Sequence, residues 1–73
     1  MSTLEKVKIG EEVTAKRIAK ESTVRRRLLD MGITPGVTIK VTGKAPMGDP
    51  IEILVRGYKL TLRKNEASAI FVE

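Results

Sequence analysis

The stretch Leu28-Leu29-Asp30-Met31-Gly32-Ile33-Thr34-Pro35-Gly36 ends a helix, turns and launches a strand. Val24, Leu28 and Met31 fall at i, i+4 and i+7, so they share one helix face. Gly32 follows the last of them, where a left-handed residue closes a helix and only Gly enters that conformation without strain. Ile33 is placed to touch Leu28 one turn back, as the apolar partner of such a cap does. Thr34-Pro35-Gly36-Val37 reads as a type II turn, with Pro fixing φ at the second position and Gly supplying a positive φ at the third. Beyond it Val37, Ile39 and Val41 alternate with Thr38, Lys40 and Thr42, the pattern of a strand with one buried face. One short helix is therefore clamped onto the start of a sheet.

The rest of the chain extends that sheet in both directions. Upstream, Leu4, Val7 and Ile9 form an apolar lead-in ending at Gly10, expected as an irregular segment tucked under the sheet. Glu12 to Ala19 is expected as the first strand. Val13 and Ala15 lie on one face and Ile18 out of phase, which predicts a bulge around Lys16-Arg17. A connector over 20–23 follows, with Ser22 or Thr23 as the expected helix N-cap. Downstream, Gly43 to Pro50 is a loop with Met47 near its tip, its backbone shaped by two Pro and two Gly. Ile51, Ile53 and Val55 point inward on the next strand and Leu54 points outward. Gly57-Tyr58 suits a tight hairpin with Gly first. Tyr58, Leu60 and Leu62 then alternate with Lys59, Thr61 and Arg63. Asn65 is the expected cap of one helical turn over 66–69, and Ile70-Phe71-Val72 is a last strand. The fold class is mainly β: a small barrel of about five strands, with one α-helix between the first and second and a helical turn before the last.

The totals bound the function. At 73 residues the chain is expected to form one domain, 1–73. A domain of this size buries only about 60% of its unfolded surface, which leaves little room for an enclosed active site. There is no Cys and no His, so disulfides, thiolate metal sites and the commonest general base are excluded. The carboxylates are scattered, without His, Cys or metal companions, and read as solvated surface charge. No apolar run approaches the roughly 20 residues that cross a bilayer. Met1 to Gly10 already carries Glu5, Lys6 and Lys8, unlike a signal peptide. The expected location is the cytoplasm.

The net charge of +5 raises the prior for nucleic acid, an anionic membrane or an acidic protein surface. Only Arg25-Arg26-Arg27 forms a run, and with one Phe and one Tyr a stacking platform for single strands is missing. The glycines at 32 and 36 are not a phosphate loop, because they follow a helix and precede a strand. Arg25 and Arg26 lie well off the Val24–Leu28–Met31 face, and Leu29 projects between them. The plain reading is a solvated helix face. The sharper one is a contact patch, since Arg around an exposed apolar residue marks interface hot spots. Met47 and Leu54 are the other exposed apolar candidates, and the three matter only if they converge in space.

Four stretches with their spacing resemble the FeoA family of bacterial ferrous iron uptake. They are Arg27-Leu28-Leu29-Asp30-Met31-Gly32-Ile33-Thr34-Pro35-Gly36, Ala45-Pro46-Met47-Gly48-Asp49-Pro50, Arg56-Gly57-Tyr58-Lys59-Leu60-Thr61-Leu62-Arg63 and Glu66-Ala67-Ser68-Ala69-Ile70. The family more often has Leu where Met31 stands, a swap that conserves volume. The resemblance implies an SH3-like barrel and a non-enzymatic role beside FeoB, the permease with a cytosolic GTP-binding domain. It implies no catalytic residue, cofactor or metal ligand. Ferrous iron can bind carboxylate oxygens, but no cluster of them is visible. The expected partner is the permease's cytosolic domain, with the membrane reached only through it, no nucleic acid, and a monomer or weak oligomer. The expected contact surface is Arg25, Arg26, Leu29, Pro46, Met47, Asp49 and Leu54. Two rivals stay open: a basic SH3-like nucleic-acid-binding module, and a metal-linked regulatory domain of the kind that metal-dependent repressors carry.

Overall fold

The computed structural model describes residues 2–20 and 23–73. Its elements are β1 (Ser2–Thr3), a 3-10 turn (Leu4–Lys6), β2 (Glu12–Ile18), α1 (Arg25–Asp30), β3 (Thr38–Lys44), β4 (Ile51–Val55), β5 (Tyr58–Leu62), α2 (Lys64–Ala67) and β6 (Ile70–Val72). The segment 28–37 behaves as its residues dictate. Gly32 has φ +90°, its amide donates to Leu29 O, and the Ile33 amide donates to Leu28 O, the paired bonds of a Schellman cap. Ile33 and Leu28 are both fully buried. Val37 N–H donates to Thr34 O at 3.1 Å and Gly36 has φ +95°, completing the turn. Gly36 N–H donates to Ala15 O, and Ala15 N–H to Val37 O, which fixes the turn against β2. A Cβ on Gly32 would meet nothing nearer than Arg56 Nη1 at 3.9 Å, so the cost of Gly32→Ala is conformational. It is expected to lower stability by about 1–2 kcal/mol, read as a lower urea midpoint at unchanged slope.

The strands form one antiparallel sheet in the order β1-β6-β2-β3-β4-β5. The Cα extents of 28 × 23 × 22 Å are nearly equal, so the sheet is curled round its own inner face instead of lying flat as a single layer. That face carries Ile39, Val41, Ile51, Ile53, Leu62 and Ile70, all without exposed surface. Ala15 and Ile18 of β2 are both buried because the β2–β6 register shifts between Ala15 and Arg17, where the phase break in the sequence places a bulge.

Several expectations are corrected. There are six strands among the described residues instead of about five, because Ser2–Thr3 pairs with β6 ahead of the lead-in. Leu4 and Val7 are buried, but Ile9 is 58% exposed, its segment having turned outward before Gly10. The N-cap of α1 is Val24 and makes no side-chain cap bond; Thr23 is not the cap and Ser22 lies outside the described residues. The β4–β5 hairpin is centred on Arg56 and Gly57, with φ +52° and +84°, so Gly comes second in a type I′ turn. Tyr58 then opens β5 with 74% of its surface exposed. Asn65 lies inside α2 and is not its cap. The cap position is Arg63, whose N–H donates to Glu66 Oε1 at 2.8 Å.

Candidate functional site

The run Arg25-Arg26-Arg27 divides by geometry. A helix turns 100° per residue, so the three side chains leave it in different directions. Arg27 Nη1 reaches Glu66 Oε2 at 2.8 Å, across to the N-terminal turn of α2. Glu66 is 2% exposed, the one charged residue buried among those described. Its carboxylate is satisfied on both oxygens, by Arg27 and by the Arg63 amide. Arg26 pairs with Asp30 one turn along its own helix at 3.3 Å, with both side chains well exposed. Such a pair contributes at most a few tenths of a kcal/mol. Arg25 is exposed and forms no ion pair among the described residues.

The other expected contact residues are placed unequally. Leu29 is half-buried against the core and is not the exposed apolar tip expected between two arginines. Its side chain packs against the core cluster, as Val24 and Met31 of the expected inner face do. Met47 is 89% exposed and Pro46 is exposed beside it. Their loop is closed by Ala45 N–H donating to Pro50 O and Gly48 N–H to Ala45 O, so Met47 is held out on a rigid tip. Asp49 is exposed, but its Oδ1 accepts the Lys64 amide at 2.9 Å, which ties the loop to the start of α2. Arg27 and Pro50 line one cleft of about 370 Å³ with Arg63 and Glu66, so the base of the loop and the inner edge of the helix are neighbours. Leu54 stands apart. It is half-buried on the outer face of the sheet, in register between Lys40 of β3 and Lys59 of β5.

The residue missed in the sequence is Glu66 as the partner of Arg27. A Glu at the third position of a helical turn signals a cap, but nothing local signals an arginine from a distant helix. No group of three or more acidic, His or Cys side chains that could hold a metal occurs among the described residues. The arrangement offers a fixed surface of exposed cations and one protruding apolar side chain.

The FeoA domain family model matches residues 2–73. A fusion of Fe(2+) transport protein A with the Fe(2+) transporter FeoB from Porphyromonas gingivalis is 33% identical over 70 residues, covering 96% of this chain and 8% of that protein. The chain thus spans a small fraction of that relative's length. The NMR structure of a FeoA-like protein from Clostridium acetobutylicum superposes with a TM-score of 0.93 at 51% identity, over 99% of this chain and 84% of that one. A zinc complex of Stenotrophomonas maltophilia FeoA, described as a prokaryotic SH3 domain protein, gives 0.87 at 22% identity over 100% and 91% of the two chains, a likeness of fold. The curled sheet, its strand order and the match over residues 2–73 agree: this chain is an SH3-like domain of the FeoA family.

Proposed function

We propose that this chain is a cytoplasmic, non-enzymatic accessory of ferrous iron uptake that docks on the cytosolic GTP-binding part of an FeoB-type permease. The observation that carries this reading is the Porphyromonas gingivalis relative, in which transport protein A and FeoB form one polypeptide. Fusion gives two units a high effective concentration for each other, an arrangement suited to partners that meet at modest affinity. No helix among the described residues is long and apolar enough to cross a membrane, so on this reading the chain meets the bilayer through its partner. The docking surface is Arg25 and Arg26 with the rigid tip at Pro46 and Met47. A preorganised tip loses little entropy on binding.

The test is capture of the purified cytosolic region of the permease by the 73-residue chain. Arg25→Glu, Arg26→Glu and Met47→Asp combined are expected to weaken capture at least about tenfold, with the circular dichroism spectrum unchanged. Leu29 is left intact because it packs on the core. Full capture by the triple variant would show the surface to be wrong. No capture by the parent chain would show the docking itself to be wrong.

A further inference from the structure

Strand β5 is the last in the sheet, and β4 is its one neighbour among the described residues. The type I′ turn at Arg56-Gly57 makes Val55 and Tyr58 a hydrogen-bonded pair, so Leu60 and Leu62 also turn their amides toward β4. Lys59 and Thr61 then present their N–H and C=O groups to the open side. No backbone bond to either residue from outside the hairpin occurs among the described residues. The edge ends at Arg63, whose amide is taken by Glu66.

Residues of α1 and of the turn that follows it line a cleft at each end of this strand. One, of about 340 Å³, lies between Met31-Gly32 and Tyr58, Lys59 and Leu60. The other lies between Arg27 and Thr61 and Arg63. Met31 and Leu60 are both partly buried against the core and give the first cleft an apolar floor.

The charges at this groove are unbalanced. Its acids are already engaged, Asp30 by Arg26 and Glu66 by Arg27. Arg56 donates to the Thr34 hydroxyl at 3.4 Å, and none of Arg56, Lys59 and Arg63 has an ion-pair partner among the described residues. Exposed edges of this kind are templates for another strand.

We propose that the groove between β5 and α1 takes an extended peptide segment of a partner protein as an added strand, the segment alternating apolar with acidic residues. Its main chain pairs with Lys59 and Thr61. Its apolar side chains enter beside Met31 and Leu60, and its acidic ones face Lys59, Arg56 and Arg63. A second copy of this chain is the poorer occupant, because β5 against β5 sets Lys59 and Arg63 among their own like charges on a molecule of net charge +5. The proposal concerns a different surface from Arg25, Arg26 and Met47 and stands independently of the docking on the permease.

The experiment selects a displayed random decapeptide library on the 73-residue chain and follows amide exchange by NMR. In the free chain the Lys59 and Thr61 amides are expected to exchange readily and those of Leu60 and Leu62 slowly. Enriched peptides are expected to alternate apolar and acidic residues and to slow exchange at Lys59 and Thr61. Thr61→Pro removes one edge donor at a position where an edge strand tolerates proline, and it is expected to weaken binding about tenfold. Thr61→Val, which keeps the amide, is expected to bind as the parent does. Should Thr61→Pro fail to fold, Lys59→Glu tests the charge preference, with acidic peptides rejected. No enrichment, peptides that leave the Thr61 amide unprotected, or binding indifferent to both variants would overturn the proposal. Protection of the edge by concentration alone would overturn it too, in favour of self-association.

Discussion

Leu28→Ala is expected to lower the unfolding free energy by about 2–5 kcal/mol, the range for deleting a fully buried leucine side chain beyond Cβ. A 73-residue domain has about 4–11 kcal/mol in total, so this one change removes a large share. The loss is placed toward the upper end by the helix that carries it. With six residues, α1 is far too short to persist on its own. Its N-cap, Val24, makes no side-chain cap bond, and its first turn carries arginines that oppose the dipole. What holds the helix is Leu28 in the core below and the cap in which Ile33 N–H donates to Leu28 O. Removing the side chain opens a cavity and loosens α1 together. The melting temperature is expected to fall by about 10 °C or more, while Leu28→Met, which conserves volume, costs less than about 1.5 kcal/mol. Equal melting temperatures for Leu28→Ala and the parent would refute the view that this side chain pins the helix.

The same segment explains how much of the molecule was legible beforehand. Between Val24 and Val41 the signals are local: a helical spacing, a glycine, a Pro-Gly pair and a strict alternation. The bulge in β2 was legible too, because Ile18 breaks phase with Ala15 and the pleat must absorb the break. The errors fell where distant parts of the chain decide. Glycine suits the first place of a tight hairpin turn. Yet Arg56 takes the left-handed conformation there, and its guanidinium reaches Thr34 and approaches Gly32, anchoring the hairpin to the end of the helix. Asn65 has the chemistry of a cap, but Glu66 reaches back to the Arg63 amide and starts the turn earlier. For the candidate surface, the sequence identified which side chains are apolar or charged but not which are covered. Leu29 and Met47 look alike as isolated apolar residues among polar ones. One rests on the core and the other stands out on a loop tip.

Arg27→Ala is the second large expected effect, about 1–3 kcal/mol, although Arg27 sits in a run that reads as surface charge. Its side chain is 64% exposed, which by itself predicts an effect near zero. The partner reverses that expectation. Glu66 is 3% exposed at the side chain, so losing the guanidinium leaves a buried carboxylate with only the Arg63 amide. Solvent at the Arg27 side keeps the cost below that of breaking a fully buried pair. Glu66→Gln removes the charge while retaining an acceptor for the Arg63 amide, so it is expected to cost about 1 kcal/mol. The two changes together are expected to cost less than their sum, since the second removes the charge that the first strands. Arg26→Ala breaks an exposed pair and is expected to stay within about 0.5 kcal/mol of the parent. Urea unfolding of the four variants at one ionic strength separates these outcomes. Additive losses at 27 and 66, or equal losses at 26 and 27, would contradict the division of the run. If the division holds, one arginine joins α1 to α2 through the only buried charge among the described residues. Its two neighbours then remain free to meet another protein without weakening the fold.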